Sequence, residues 1–365
     1  MLINFYNAPK QKFVRGKGVW IWNENNEKYF DAINGVGSNM FGHCDTELIE
    51  TANTQCNTLW QISNQLQEDQ RERLADRLCI LAGMNSVFFH SSGSEAIDLA
   101  LKITKWNRSG SVVVINKGFH GTTFNGTLLT KWPGTYENLN TDTTDVIHID
   151  DSVEELDKLK DKNISAVIIE PILGMGGARM LDTVFLSKLY KWAKQSGIIV
   201  IADECQCGFY RCGGISVMQD LGLTPDILIL SKGLANGMPL SACLISSKLK
   251  TPRHGTTYGG NALSCAVANS VLDKLQKVDL NSQRKMIEQK MSSIKDLSKI
   301  KKIRCLGHMI GIDLNCDINL AYNSCLKQKL LVIRTLDNTL RLMLPLNTTE
   351  NELDLLTEKI TEALK

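Results

Sequence analysis

The sequence predicts an α/β fold with a mainly parallel central sheet flanked by helices, plus a smaller α+β domain. Several short runs are almost wholly apolar and rich in valine and isoleucine, which is typical of strands buried on both faces of a parallel sheet. These runs begin at Ser111, Ser165, Gly197, Asp226 and Ser241. Residues 185–197 between two of them have apolar side chains at helical spacing and end in a glycine. Strands that alternate with helices favour an open α/β sheet.

The length of 365 residues exceeds that of one usual domain. After about residue 262 the pattern changes to long helices around short strands at 309–314 and 340–345, which indicates a smaller α+β domain. We therefore expect an N-terminal segment, residues 1–44, that packs with the small domain. A large domain should span 45–262 and the small domain 263–365.

Composition excludes several classes of protein. The formal net charge is only +2, so nothing points to nucleic acid or to an anionic membrane as a partner. No apolar run approaches the roughly 18 residues that a membrane-spanning helix needs. The first 13 residues lack the apolar core of a signal peptide. We expect a cytoplasmic protein.

Eleven cysteines raise the question of disulfides or a metal. Disulfide frameworks belong to small secreted chains, and this chain is long. The densest cluster is Cys205, Cys207 and Cys212, but no second pair or nearby histidine pair completes a zinc site. We expect reduced, mostly buried thiols and no metal.

Polar side chains end two of the apolar runs. Asp203 ends the run from Gly197, and Lys232 follows the run from Asp226. Ligands of open α/β sheets bind outside the carboxyl ends of the strands, so these two side chains should share a crevice. Lysine forms Schiff bases with carbonyl cofactors, and an aspartate beside a pyridine nitrogen keeps that nitrogen protonated. A solvated strand end is the simpler interpretation of an isolated lysine.

A short polar stretch, residues 91–94, separates an apolar run from a clear helix. Free backbone N–H groups and the helix dipole favour a phosphate at such a helix start, and the small side chains there permit close approach. The alternative is an ordinary serine cap with Glu95 in the first turn.

Seven segments together, in this order, resemble the class-III aminotransferases of PLP (pyridoxal 5'-phosphate) fold type I. The resemblance runs from about Gly16 to the C-terminus. The segments are FFHSSGSEA, GFHGTT, VIIEPILGMGG, IADECQCGFYRCG, LSKGLANGMPLSA, HGTTYGGNALSCAVA and LRLMLPL. The resemblance implies that PLP is the cofactor and that amino-group transfer is the reaction.

The resemblance also assigns cofactor contacts by position. Gly93 and Ser94, beside Ser92, match the residues that bind the cofactor phosphate, and Phe119 matches the aromatic ring that stacks on the pyridine. His120 falls among the cofactor-binding residues as well. The remaining matches are Asp203 for the pyridine nitrogen, Gln206 for the ring oxygen and Lys232 for the Schiff base.

Two further matches concern the partner subunit and the substrate. Thr256 and Thr257 match residues that reach the phosphate of the neighbouring subunit's cofactor, which implies a homodimer with shared active sites. Arg341 matches the arginine that binds a substrate carboxylate, a role that suits its planar fork.

The chain departs from the family at three substrate positions. Thr122 stands where acetylornithine aminotransferases have an arginine for the α-carboxylate. Met175 stands where the family has a glutamate that pairs with the carboxylate-binding arginine. Val36 lies near the place of a tyrosine in ornithine aminotransferases. We therefore expect an apolar pocket with one fixed anion anchor.

The sequence leaves the reaction open. The first hypothesis is an aminotransferase that moves an amino group from an amine or amino acid to a keto acid or aldehyde. The second is racemisation, elimination or cyclisation of an α-amino acid held by Arg341. A third, a non-catalytic binding protein, conflicts with the joint presence of Lys232, Asp203 and the phosphate loop.

Overall fold

The structure is a computed structural model that describes residues 3, 5, 11–132, 134–136, 139 and 145–365. The expectation that the chain has no signal peptide rests on its first 13 residues, and most of these lie outside the described residues. Within the described ranges, no helix has the length and apolar character needed to cross a membrane.

The described residues form the following strands and helices, which alternate over much of the region between β4 and α8. The strands are β1 (Phe13–Lys17), β2 (Trp20–Asn23), β3 (Lys28–Asp31), β4 (Ser86–His90), β5 (Ser111–Ile115), β6 (Val146–Ile149), β7 (Ile164–Ile169), β8 (Ile172–Leu173), β9 (Arg179–Met180), β10 (Ile199–Asp203), β11 (Ile227–Leu230), β12 (Ser241–Ile245), β13 (Ile300–Leu306), β14 (Met309–Leu314), β15 (Leu330–Leu331), β16 (Ile333–Thr335) and β17 (Thr339–Met343). The helices are α1 (Asn34–Gly37), α2 (Thr46–Cys56), α3 (Asp69–Ala82), α4 (Gly93–Asn107), α5 (Phe124–Thr130), α6 (Thr183–Gln195), α7 (Val217–Asp220), α8 (Ala262–Leu275), α9 (Leu280–Ser292), α10 (Ile318–Lys327) and α11 (Glu350–Leu364), with short 3-10 helices at Val153–Leu159 and Lys232–Ala235.

A seven-stranded sheet forms the centre of the molecule, in the order β4-β12-β11-β10-β7-β5-β6. Strand β12 is antiparallel to both of its neighbours, β11 and β4. The pairs β11-β10, β10-β7, β7-β5 and β5-β6 are parallel. The predicted α/β fold with a mainly parallel central sheet is therefore confirmed.

Both faces of this sheet are buried. Along β10, Val200 and Ala202 contribute to one apolar cluster and Ile199 and Ile201 to another. Because successive side chains of a strand point to opposite faces, these clusters lie on the two sides of the sheet. This double burial explains why the predicted strands have no polar face.

A second core contains residues from both ends of the chain. Val19, between β1 and β2, and Phe30 on β3 share an apolar cluster with Leu330 and Leu356. Strand β3 pairs in parallel with β15, with Phe30 opposite Leu330. A separate four-stranded sheet, β13-β14-β17-β16, carries Arg341 opposite Gly311.

Helix α8 bears on the predicted domain boundary. The prediction placed it at the start of the small domain, but its buried residues Cys265, Val267 and Val271 belong to the core of the large sheet. Ile287 of α9 belongs to the second core instead. We therefore propose that the small domain begins after α8.

Candidate functional site

A cavity of about 290 Å³ lies at the carboxyl edge of the central sheet. It brings together most of the residues that the sequence assigned to the cofactor. Those that line it are Ser92, Gly93, Ser94, Phe119, His120, Asp203 and Lys232. Ser38 from the N-terminal segment and Cys205 complete part of its wall. Strands far apart in sequence therefore meet at one site.

The start of α4 forms one end of this cavity. Ser92 caps the helix by accepting a hydrogen bond from the Glu95 N–H, as the alternative of an ordinary serine cap predicts. The two roles are compatible, because the other N–H groups of the first turn have no partner within a helix. A Cβ at Gly93 would lie 2.7 Å from the Cys205 sulfur, so glycine permits this close packing. The helix start suits an anion such as phosphate.

Asp203 ends β10 as a buried carboxylate. Its Oδ2 lies 2.8 Å from Nδ1 of His120, and its Oδ1 accepts a hydrogen bond from the Cys205 N–H at 3.2 Å. Burial by itself raises the pKa of Asp203, but the bonds from His120 and Cys205 and the charge of Lys232 outweigh it, so the pKa is lowered. Asp203 is therefore held as a carboxylate in a nearly dry site.

Lys232 is half-buried and begins the 3-10 helix that follows β11. Its φ is 40°, a left-handed conformation that residues other than glycine seldom adopt. Backbone strain of this kind is concentrated at functional sites. A primary amine, a buried carboxylate and an anion-binding helix start in one cavity fit the aldehyde, the ring nitrogen and the phosphate of PLP.

Glu170 is a buried acid to which the sequence analysis gave no role. It follows β7 and accepts hydrogen bonds from the N–H groups of Phe119 and Gly174, at 3.2 and 3.0 Å. Burial, together with the charge of Asp203, raises its pKa to about 7. The rule that identified Asp203 and Lys232 would have found it, since Glu170 also comes directly after an apolar run.

Arg341 lies on β17, outside the group of residues that line the cavity, with a side chain that is fully buried. Its Nη1 donates to Oε1 of Gln206 at 2.7 Å and lies 3.2 Å from the Met175 sulfur. Nε and Nη2 have no hydrogen-bond partner among the described residues. Burial lowers the pKa of Arg341 to about 10, against the opposing charge of Glu170. A charged group with so few partners is ready to bind an anion.

The other assigned substrate residues lie around this arginine and the cavity. The Gln206 amide contacts Arg341 and donates to the Val36 carbonyl at 3.5 Å. Val36 is exposed, and so is Thr122, which follows the cavity residue Gly121.

Thr256 and Thr257 line a different cavity from Lys232. Their carbonyls accept hydrogen bonds from the side chains of Asn64 and Gln61. The two threonines are therefore held by a neighbouring loop, away from the cofactor cavity of their own chain.

Four of the eleven cysteines are buried, so the expectation of mostly buried thiols is wrong; within the cluster Cys207 is buried, and Cys205 and Cys212 are half-buried. All eleven cysteines are free. Burial raises the pKa of Cys205 and Cys207 well above the usual value, and that of Cys212 to about 12. Metal binding needs thiolates, which this environment disfavours. Among the described residues no group of three or more His, Cys, Asp or Glu side chains could hold a metal.

Comparisons with known proteins agree on one family. The model of the class-III aminotransferases matches residues 6–364. The acetylornithine aminotransferase of Clostridium acetobutylicum is 30% identical, over 97% of this chain and 96% of the relative. That of Agrobacterium fabrum is 33% identical, over 95% and 92%.

A solved structure gives the same result. The ornithine aminotransferase of Toxoplasma gondii, reported with partial occupancy of PLP at its active site, has a TM-score of 0.91 and 27% identity, over 98% of this chain and 91% of that one. The omega transaminase of Pseudomonas jessenii in complex with PMP has a TM-score of 0.91 at 24% identity, which shows the fold. This chain belongs to the class-III aminotransferases, and it is a PLP-dependent enzyme that moves an amino group from an amine or amino-acid donor to a keto-acid or aldehyde acceptor.

Proposed function

We propose that Lys232 holds PLP covalently and that Asp203 and the start of α4 fix its two ends. The observation that carries the proposal is that all three lie in one cavity, although they come from distant parts of the sequence. When bound, PLP supplies an electron sink that stabilises negative charge at the substrate Cα. Once the substrate has displaced it from the cofactor, the Nζ of Lys232 would accept and return the proton at the substrate Cα.

Asp203 and His120 form the support for this chemistry. The carboxylate would face the pyridine nitrogen, and the His120 ring, whose Nδ1 lies 2.8 Å away, holds the carboxylate in orientation. A carboxylate that stays charged at neutral pH keeps a nearby ring nitrogen protonated, because opposite charges favour the charged form. The lowered pKa of Asp203 supports this role.

Arg341 is our candidate for the substrate carboxylate. A buried guanidinium with two nitrogens that find no partner in the described part of the chain favours a planar, bidentate anion. Thr122 offers no second cation. We propose that N-acetylornithine, which the curated relatives are named for, is a poor substrate, because Thr122 leaves its single carboxylate without the arginine that the family resemblance places there.

We also propose that the enzyme is a homodimer with shared active sites. Thr256 and Thr257 lie outside their own cofactor cavity. Exposed aromatic residues adjoin this segment in the chain, since Tyr258 (67% exposed) follows Thr257 and Trp60 (62% exposed) precedes Gln61, whose side chain donates to the Thr257 carbonyl. An apolar, exposed surface of this kind favours association with a partner. A second copy would then receive the two threonines at its phosphate site.

The eleven free cysteines suit a reducing compartment, so we propose a cytoplasmic location. The polypeptide's small net charge gives no reason to expect nucleic acid as a partner.

A spectral screen of the holoenzyme tests the proposed function. Amines and amino acids are added one at a time, without and then with a keto acid such as 2-oxoglutarate. We expect amines without a carboxylate, or α-amino acids with one carboxylate, to convert the pyridoxal absorbance to that of pyridoxamine, and the keto acid to reverse the change. Donors that are consumed with no pyridoxamine formed would contradict transamination and favour elimination or racemisation.

A further inference from the structure

We propose that His90 is a positioning residue for the cofactor site of the partner subunit, because it contacts His254 at the start of the segment that this chain lends across the dimer interface. This lent segment comprises residues 254–257 and ends in Thr256 and Thr257. The inference rests on the proposed function, in which the two threonines reach the cofactor phosphate of a second copy. His90 itself ends β4, directly before the polar stretch that leads into α4 of its own chain.

His90 is a polar ring in a buried place. The residue is 1% exposed, and its Nδ1 has no hydrogen-bond partner among the described residues. Burial, together with the nearby His254, lowers the pKa of His90 to about 4, so the ring is neutral at neutral pH. Burying a polar group costs free energy unless it is hydrogen-bonded. Within the described part of the chain, the polar contact that offsets this cost is the one with His254.

The two imidazole rings meet at their Nε2 atoms, which lie 3.3 Å apart. Burial, with the charge of Lys102, also lowers the pKa of His254. Two neutral rings can share this contact, because one Nε2 carries a proton and donates while the other accepts. Phe88 packs against both rings, with its centroid 4.9 Å from that of His90 and 5.3 Å from that of His254. The contact therefore joins the end of β4 to the start of the lent segment.

Other contacts hold the lent segment to the same part of the chain. Lys102 of α4 donates to the carbonyl of Arg253 at 2.8 Å. A Cβ at Gly259 would lie 2.7 Å from Cα of His90 and 2.6 Å from Cγ2 of Thr256, so glycine lets the chain lie directly on the end of β4. Strand β4 and helix α4 thus carry the helix start that lines the cofactor cavity, and they also support the lent segment beside a second cavity.

This arrangement predicts that His90 acts on the other subunit more than on its own. Loss of its Nε2 should loosen the lent segment, and the phosphate affected is then the one bound by the second copy. The start of α4 in the same chain keeps its own N–H groups, so the cofactor site of that chain should change little. A general loss of stability would not produce this difference between the two sites.

Mixed dimers with one intact lysine test where His90 acts. Two affinity tags select dimers in which one subunit carries Lys232→Ala, so that only the other subunit can form a Schiff base with PLP. His90→Phe, which keeps an aromatic ring and removes both nitrogens, is placed either in the Lys232→Ala subunit or in the intact one. PLP is titrated into the apoprotein, and the Schiff-base absorbance reports the affinity of the single intact site.

Three further variants make the result specific. His148→Phe is the control, since His148 is hydrogen-bonded to the Leu128 carbonyl at 3.1 Å and lies on β6, at the opposite edge of the sheet from β4. His90→Gln is the conservative change, because its amide can reach His254 as the imidazole Nε2 does. His254→Phe removes the same contact from a half-buried position, which guards against a folding defect in His90→Phe.

We expect His90→Phe to weaken PLP binding about fivefold from the Lys232→Ala subunit, and by less than about twofold from the intact subunit. His254→Phe should behave in the same way, and His90→Gln should recover most of the loss. The control should stay within about twofold of wild type in either place. An equal or larger effect from the intact subunit, or no effect from either, would overturn the proposal.

Thr257→Ala in the same dimers separates the role of His90 from subunit sharing itself. It should weaken PLP binding only when it lies in the Lys232→Ala subunit. If it does so and His90→Phe does not, sharing stands and the role of His90 is wrong. If Thr257→Ala has no effect from that subunit, sharing is wrong and the role of His90 fails with it.

Discussion

Replacing Asp203 by asparagine should remove most of the catalytic rate while leaving the fold intact. The amide would keep the size of the side chain, and its oxygen could still accept the hydrogen bond from His120, which spans 2.8 Å in the structure. It would lose the negative charge that we propose keeps the cofactor's ring nitrogen protonated. The change therefore separates the charge of Asp203 from its packing.

The expected loss can be estimated from the burial of the site. Asp203 is buried, so water screens its charge weakly. Two unit charges about 4 Å apart at an effective dielectric constant near 20 attract by about 4 kcal/mol. That energy corresponds to about three pKa units for the ring nitrogen. If the protonated ring is required in the transition state, Asp203→Asn should lower the rate about a thousandfold.

Single-turnover kinetics of the amino-donor half-reaction, followed by absorbance, measure this loss directly. Glu204→Gln is the matched control, because the adjacent Glu204 is equally buried but binds Ser216 and the backbone of α7 instead of the cavity. It should alter stability more than rate. A rate for Asp203→Asn within about threefold of wild type, only about 0.7 kcal/mol of barrier, would refute the role of the charge.

Subunit sharing, the protonation of Glu170 and donor choice can each be tested separately. If active sites are shared as proposed, the Lys232→Ala and Thr257→Ala variants should each be inactive, but mixing and refolding them should restore part of the activity, since one site of a mixed dimer then has both residues; no recovery would contradict sharing. Burial raises the pKa of Glu170 to about 7 from 4.5, so the folded apoprotein binds this proton more tightly than the unfolded chain does, and stability should fall by up to about 3 kcal/mol as the pH rises through that window. Glu170→Gln should flatten the corresponding decline in melting temperature, and an unchanged pH profile would speak against the raised pKa. For N-acetylornithine, kcat/KM should lie about a hundredfold or more below that for the best donor and should rise in Thr122→Arg; efficient use by the wild type would disprove the argument from Thr122.

The central sheet was predictable because burial on both faces requires short, continuously apolar runs in the sequence. Its strands read as short apolar runs, and the residues that end them, Asp203 and Lys232, could be placed at one edge by a general rule of α/β folds. The direction of a strand, parallel or antiparallel, does not change this apolar pattern. The run from Ser241 forms β12, which is antiparallel to both neighbours, yet it is as apolar as the parallel strands because it is equally buried.

Contacts between distant side chains could not be predicted in the same way. The approach of Gln206 to Arg341 joins residues 135 positions apart, and it depends on the room left by Gly174. The bond between His120 and Asp203 likewise joins a residue after β5 to the last residue of β10. Motif resemblance placed these residues in one site, but only packing decides which of them touch.

The identity of the residue that holds PLP tests the central claim most directly. Purified holoenzyme is reduced with borohydride, digested and analysed by mass spectrometry to locate the pyridoxyl group. We expect the pyridoxyl group on Lys232. We expect the Lys232→Ala protein to be folded, unlabelled and unable to turn over substrate. A pyridoxyl group on any other lysine, or full activity in Lys232→Ala, would contradict that claim.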